Sequence, residues 1–235
     1  MIYQDNYALV KSDFVMQSIL MNPNWAEENL QTIRTLMERS AVYRRALAPI
    51  MIFAGTTGIL GGLAGWLCRI ESNRGFVWLW LGIAIFTLAG ALLLVRRQSL
   101  KDAEPFWSPP TRRVGQALLP AFFVGLMIAA FVIVFTGNPD PSNNGFQCLL
   151  VMWWSWCYGC AIHAAGFFMP RGVRWLGWIF ILIGSILSVV VNTTVFQVDL
   201  LQPVSSHLLM GGVFGGLHLA YGIHLHFTEQ KSSVA

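Results

Sequence analysis

The stretch from Trp153 to His163 holds side chains whose types and spacing are suited to chemistry. Within it, Cys157, Cys160 and His163 recur at every third residue, so they drift only slowly round one face of a helix. Thiolate and imidazole groups are metal ligands, and the C-x-x-C spacing occurs at redox sites. The three residues are therefore a candidate metal site. In the alternative interpretation, both thiols pack as small apolar side chains.

Four of the five histidines lie in the last apolar stretch of the chain: His207, His218, His224 and His226. His163 and His224 have matching depths in two segments that run in the same direction, whereas His218 is level with Cys157 and Cys160. Imidazoles on facing helices ligate haem and several metals, which makes His163, His218 and His224 candidate cofactor ligands. The alternative is that neutral histidines join helices by hydrogen bonds inside a membrane.

Two further cysteines are candidates for a disulfide bond. Cys68 closes the first apolar segment and Cys148 opens the fourth, so both are expected at the outer face of the protein. An oxidising compartment permits a bond between them, provided that their Cα atoms lie within about 7 Å. Free buried cysteine is the alternative.

The elements that must position these residues are six apolar segments. At about 1.5 Å per residue, roughly 20 apolar residues cross a hydrocarbon core of about 30 Å. The segments are 46–68, 75–95, 117–137, 146–168, 173–196 and 206–227. Hydrophobic residues make up 55% of the chain and charged residues only 11%, which excludes a soluble enzyme, a nucleic-acid-binding domain and a disordered chain. The sequence predicts an all-α membrane protein with six transmembrane helices in a domain over 46–227.

The basic residues predict the orientation of these helices. All but two of the 15 Lys and Arg residues fall on one side of the predicted membrane, and the exceptions are Arg69 and Arg74. Because short cytoplasmic loops carry the excess of Lys and Arg, both termini are predicted to be cytoplasmic, including the tail 228–235. The same basic residues are expected to meet anionic lipid headgroups.

Residues 1–45 are predicted to be a cytoplasmic segment that ends in an amphipathic helix over 25–45. Apolar residues recur there at helical spacing: Ala26, Leu30, Ile33, Met37 and Ala41. This stripe would lie on the membrane surface, pack under the bundle or receive a partner. Glu38 and Arg39 on this helix are candidate docking residues, together with Arg112 and Arg113 in the predicted loop 96–116. Pro109 and Pro110 argue against regular helix over Phe106–Arg113.

Glycine pairs at small-xxx-small spacing predict close contacts between helices. They are Gly58/Gly62 and Gly61/Gly65 in the first segment, and Gly211/Gly215 and Gly212/Gly216 in the last. We expect both segments to make close backbone contacts, either with each other or across a homodimer.

Four stretches together resemble a family of bacterial six-span membrane proteins. They are LMERSAVYRR (Leu36 to Arg45), FWSPPTRRV (Phe106 to Val114), MPRGVRWLG (Met169 to Gly177) and FGGLHLAYG (Phe214 to Gly222). The resemblance extends from about residue 26 to 226. It implies a bacterial cytoplasmic membrane and carries no activity or catalytic residues with it.

These observations favour a non-enzymatic accessory, scaffold or sensor subunit. Its predicted partners are the lipid bilayer and a protein at the cytoplasmic face or a second copy, with no nucleic acid. No catalytic residue is predicted, because nucleotide and nucleophile motifs are lacking. The first alternative is a redox protein that binds haem or a metal. The second is a small-molecule permease, which the lack of charged residues deep inside the segments disfavours.

Overall fold

The structure, a computed structural model, describes residues 23–101, 109–135, 146–192 and 203–232. Within these ranges the chain is helical apart from short turns, and it contains no strand. The predicted all-α fold is thus confirmed for this part of the chain. Side chains are not described for residues 23–28 and 31–45. The amphipathic stripe of 25–45, with Glu38 and Arg39, therefore lies outside the described side chains and stays a prediction.

The helices follow one another with short connections. They are α1 (Pro23–Leu67), α2 (Asn73–Lys101), α3 (Pro109–Phe135), α4 (Phe146–Ala165), α5 (Arg171–Asn192), α6 (Pro203–Met210) and α7 (Leu217–Ser232). A π-helical turn, Gly211–Gly216, joins α6 to α7. The contacts divide the chain into two units, Met1–Ala41 and Val42–Ala235. The second unit contains all the sites described below.

In the part of the chain that the structure describes, six helical stretches are long and apolar enough to cross a membrane. We call them spans one to six: Ala46–Leu67, Asn73–Lys101, Thr111–Phe135, Phe146–Ala165, Arg171–Val190 and Ser205–Thr228. They match the six predicted apolar segments in number and order. Span two is longer than predicted at its end, because the helix continues through Arg96 and Arg97 to Lys101.

The expectation that Phe106–Arg113 avoids regular helix is wrong for its second half. Helix α3 begins at Pro109, so the two prolines occupy its first turn. The first N–H groups of a helix have no partner within it, so a proline there forfeits no hydrogen bond. Arg112 and Arg113 therefore lie in the first turns of a helix, where both side chains are exposed.

Spans one and six pack antiparallel along a seam of glycines. A Cβ atom added to Gly58 would lie 2.8 Å from the Cα of Gly215, and one added to Gly62 would lie 2.9 Å from the Cα of Gly211. These distances leave no room for a side chain, so the two backbones are in direct contact. The predicted close contact between these spans is confirmed for these two pairs. In contrast, Gly212 and Gly216 face open space.

The interior consists of two apolar clusters, one toward each end of the bundle. The first contains Phe76, Val77, Trp80, Ala129, Val132, Leu150, Val151 and Met210. The second contains Leu47, Met51, Ile162, Val173, Leu176, Phe180 and Val213. Leu209 and Phe214 of span six pack against both clusters. Span six therefore connects the two halves of the core, as span four does through Leu150 and Ile162.

Candidate functional site

Two buried histidines flank the π-helical turn of span six. His207 lies before the turn with none of its surface exposed, and His218 follows it with 5% exposed. π-Helical turns inside α-helices occur frequently at functional sites. An ionisable side chain inside a membrane helix is likewise a candidate functional residue. The surroundings of these two histidines are therefore the candidate functional site of the protein.

His218 joins span six to span four through Tyr158. The Tyr158 hydroxyl lies 2.5 Å from Nε2 of His218, and Nδ1 of His218 lies 2.5 Å from the carbonyl oxygen of Phe214. A carbonyl oxygen only accepts, so these partners assign the proton to Nδ1 and make Nε2 the acceptor of the tyrosine hydroxyl. Both ring nitrogens of neutral His218 are thus occupied.

Aromatic rings enclose the Tyr158–His218 pair. Phe180 lies 4.9 Å from the Tyr158 ring centroid and 5.5 Å from that of His218, and Phe214 lies 5.3 Å from the tyrosine. Phe122 of α3 stacks on the other side of Tyr158 at 6.1 Å. The pair is therefore shielded by rings from three further helical segments. In such surroundings, a polar group without a hydrogen-bond partner lowers the stability of the fold, whereas in water it would bond to solvent.

His207 makes the equivalent connection at the opposite end of the bundle. Its Nε2 lies 2.9 Å from the carbonyl oxygen of Ile70, in the turn between α1 and α2, and so must donate to it. The indole N–H of Trp80 donates to Nδ1 of His207 at 3.3 Å. Phe76 packs against the imidazole with ring centroids 4.8 Å apart. Span six is thereby tied to α2 and to the end of α1.

Gln147 holds the start of α4 to the same turn. Its side chain is fully buried and its amide nitrogen donates to the carbonyl oxygen of Glu71 at 2.7 Å. Within the part of the chain that the structure describes, the amide oxygen of Gln147 and the hydroxyl of Tyr221 are buried without a hydrogen-bond partner.

The other predicted histidine ligands lie apart from these pairs. His163 is half-buried between spans four and five, where its Nδ1 donates to the carbonyl oxygen of Arg174 at 3.4 Å. His224 is exposed. The level of His218 beside the Cys157–Cys160 stretch is confirmed, and its contact there is Tyr158. The prediction that His163, His218 and His224 bind haem or a metal stays untested.

All four cysteines are free thiols. Cys68 is exposed, Cys148 is buried and both are free, so the candidate disulfide between them is absent from this structure. Cys160 is exposed and Cys157 is half-buried on α4. Among the described residues, no three His, Cys, Asp or Glu side chains come close enough together to hold a metal ion. The metal site of Cys157, Cys160 and His163 therefore rests on their spacing in the sequence.

Four features of the site were missed by sequence reasoning: Trp80, Gln147, the role of Tyr158 and the π-helical turn. Trp80 and Gln147 were not singled out, because nothing in the sequence indicates which helices contact one another. Tyr158 lies within the Trp153–His163 stretch, but its role was not predicted. A polar side chain level with His218 was the available signal. The π-helical turn has no signal apart from the glycines on both sides of Val213 and Phe214.

Comparison with known proteins finds no family model, no curated protein and no solved structure that matches this chain. The resemblance of the four sequence stretches to a bacterial six-span family therefore stays a prediction. The proposed function has to rest on the residues of the chain and on their contacts.

Proposed function

We propose that the chain is a six-span protein of a bacterial cytoplasmic membrane that acts as a non-enzymatic accessory or scaffold subunit. Six apolar helices of sufficient length support its insertion into a membrane. The concentration of Lys and Arg on one side supports cytoplasmic termini. The assignment to a bacterial membrane is supported by the resemblance of the four sequence stretches.

The observation that carries the proposal is the use of both buried histidines as links between helices. His218 bonds to Tyr158 and to a backbone carbonyl, and His207 bonds to Trp80 and to Ile70. An imidazole binds haem iron or a metal through a free nitrogen lone pair. At His218 the Nε2 lone pair accepts the tyrosine hydroxyl, and at His207 the Nδ1 lone pair accepts the indole N–H. The polar interior thus supports a structural role.

The lack of charge inside the spans points in the same direction. The Asp, Glu, Lys and Arg residues of the described spans lie near their ends, as Arg74, Arg96, Arg112 and Arg171 do. Transporters coupled to ions and proton pumps place such groups along the path of the substrate. The role of the protein would then be carried by its outer surfaces, through contacts with lipid and with a partner protein.

The proposed orientation predicts which cysteines an impermeant reagent reaches. Cys68 is exposed at the end of α1, on the side that we assign to the exterior. In a variant with serine at 148, 157 and 160, a membrane-impermeant maleimide should label Cys68 in intact cells without permeabilisation. The matched control adds Cys68→Ser and Lys101→Cys, which places the thiol at the cytoplasmic end of span two. This control should be labelled only after permeabilisation, and the reverse pattern would contradict the orientation.

The structural role of the histidines predicts a protein without a bound chromophore. Detergent-purified protein should show no Soret band and no stoichiometric metal, with or without added haemin, and His163→Ala and His218→Ala should match it. Tyr158→Phe is the more stringent test of the same expectation, because this variant frees the Nε2 lone pair of His218 for a ligand. A Soret band in the wild-type protein that His218→Ala or His163→Ala removes would overturn the structural role and establish a haem site.

A further inference from the structure

The corner between α4 and α5 contains two arginines that the proposed function does not use. Arg171 is exposed in the first turn of α5, and Arg174 follows one turn later. Among the residues whose side chains are described, neither guanidinium takes part in an ion pair. Within that part of the chain, two cations therefore lie near one another without an anion to compensate them.

Arg174 is held in place by aromatic contacts. Its guanidinium carbon lies 5.3 Å from the centroid of the Phe167 ring, within the range of a cation–π interaction. The His163 ring packs edge-on against both Phe167 at 5.4 Å and Trp178 at 5.3 Å, and its Nδ1 bonds to the backbone of Arg174. The side chain is thus fixed at the corner without a carboxylate, which leaves its positive charge available to a ligand.

The exposed face of α5 changes its chemistry along the helix. Arg171 comes first, and Trp175 and Trp178 follow at the next turns with 70% and 47% of their surface exposed. Leu182, Ile186 and Val189 continue the same face at helical spacing, and all three are exposed. A basic turn, an aromatic turn and an aliphatic stretch thus follow one another on one side of one helix.

This order matches the order of chemistry along a phospholipid. Phosphate pairs with guanidinium groups, tryptophan prefers the interfacial region, and aliphatic side chains contact acyl chains. Zwitterionic headgroups have no net charge, whereas anionic headgroups are negative. Two arginines without an ion pair among the described side chains therefore favour an anionic headgroup. A phospholipid, with its phosphate, interfacial region and acyl chains in this order, matches the exposed face of α5 from Arg171 to Val189.

We propose that the α4–α5 corner is a binding site for one anionic phospholipid. Arg171 and Arg174 bind its headgroup phosphate, Phe167 positions Arg174, and the Trp175–Val189 face of α5 contacts its acyl chains. The site gives a role to His163 and to the Met169–Gly177 stretch, since both build the corner. This inference rests on the proposed location in a membrane and adds a lipid class and a place for it.

The test compares lipids bound to purified protein in detergent. Phosphatidylglycerol and phosphatidylcholine with identical acyl chains are offered as competitors, and the bound ratio is measured by native mass spectrometry. The wild-type protein should retain phosphatidylglycerol in preference. In the Arg171→Gln/Arg174→Gln variant, the preference should fall about 25-fold, because each basic residue near a lipid surface is worth about a factor of five. Phe167→Leu keeps both charges and should lower the preference by a smaller factor.

The matched control removes two arginines at the same end of the bundle. Arg96→Gln/Arg97→Gln changes the net charge equally, at two exposed residues near the end of span two, and should keep the preference. An equal loss in this control would overturn the proposal in favour of a diffuse charge effect. Equal retention of both lipids by the wild-type protein would overturn it as well.

Two further measurements separate the remaining outcomes. Inorganic phosphate should not displace the bound phosphatidylglycerol at millimolar concentration, and displacement would indicate a site for the free anion instead of a lipid. Should the double variant fail to fold, Arg171→Gln alone carries the test, since that side chain is exposed and has no ion pair among the described side chains. Labelling of Cys68 in intact cells reports on membrane insertion independently, so a failure of the lipid site and a failure of the proposed function are distinguishable.

Discussion

Gly58→Leu and Gly62→Leu are expected to prevent the bundle from forming, and Gly58→Ala to destabilise it severely. A Cβ atom at Gly58 would meet the Cα of Gly215 at 2.8 Å, and one at Gly62 would meet the carbonyl oxygen of His207 at 2.7 Å. Both neighbours are backbone atoms of span six, which cannot move aside as the end of a flexible side chain does. Overpacking a core costs about 1–3 kcal/mol, and rigid neighbours place these positions at or above the upper end.

The matched controls are glycines with open surroundings. Gly212→Ala and Gly82→Ala add the same methyl group where no atom lies within 4 Å, so the free energy of unfolding should stay unchanged or rise slightly. Unfolding in an SDS titration compares the three alanine variants in one detergent. Equal destabilisation by Gly58→Ala and Gly212→Ala would show that contact with span six is not the reason why glycine is required at position 58. A shift of the protein from dimer to monomer in Gly212→Ala would instead indicate a homodimer contact at that face.

The spans could be predicted from the sequence because membrane crossing depends on local composition alone. About 20 apolar residues suffice whatever lies beside them, so all six helices were predicted in the right order. The glycine pairs predicted close contact for a similar reason, since a missing side chain is a local property. Which pairs touch is a property of the assembled bundle. Gly58 and Gly62 face span six, whereas Gly61 meets the side chain of Ile83 in span two.

The polar pairs could not be predicted, because each joins residues that are far apart in the sequence. Tyr158 and His218 are on different spans, and so are Trp80 and His207. Depth in the membrane placed His218 level with the residues around Tyr158, but rotation about the helix axis decides which side chain it meets. The π-helical turn contributes to that rotation in span six, and a periodicity of 3.6 residues assumed for the whole span misses it.

Pro109 and Pro110 illustrate a different limit. A double proline excludes helix where the preceding residues need hydrogen bonds, but it suits the first turn of a new helix. The sequence was compatible both with a non-helical loop and with the first turn of a new helix. The structure begins α3 at the first proline, so the arginines that follow belong to span three and not to a loop.

His207→Phe is expected to lower the free energy of unfolding by about 3 kcal/mol, because it leaves one buried and one part-buried group without partners. The carbonyl oxygen of Ile70 loses its donor, and the indole N–H of Trp80 loses its acceptor. Phenylalanine preserves the ring that packs against Phe76, so the loss reports mainly on hydrogen bonding. His224→Phe is the matched control, because His224 is exposed and should tolerate the change within about 0.5 kcal/mol.

A double-mutant cycle with Trp80→Phe resolves the contribution of one bond. Trp80→Phe removes the indole N–H, so adding His207→Phe no longer leaves that donor without a partner. The double variant should therefore be more stable than the sum of the single effects predicts, by about 0.6 kcal/mol and by no more than about 1.7 kcal/mol, the mean and the maximum for hydrogen bonds between membrane helices. Additive effects would show that the two side chains do not interact in the folded protein. A stable His207→Phe variant would show that His207 is not a structural link, and the search for a ligand of its imidazole would reopen.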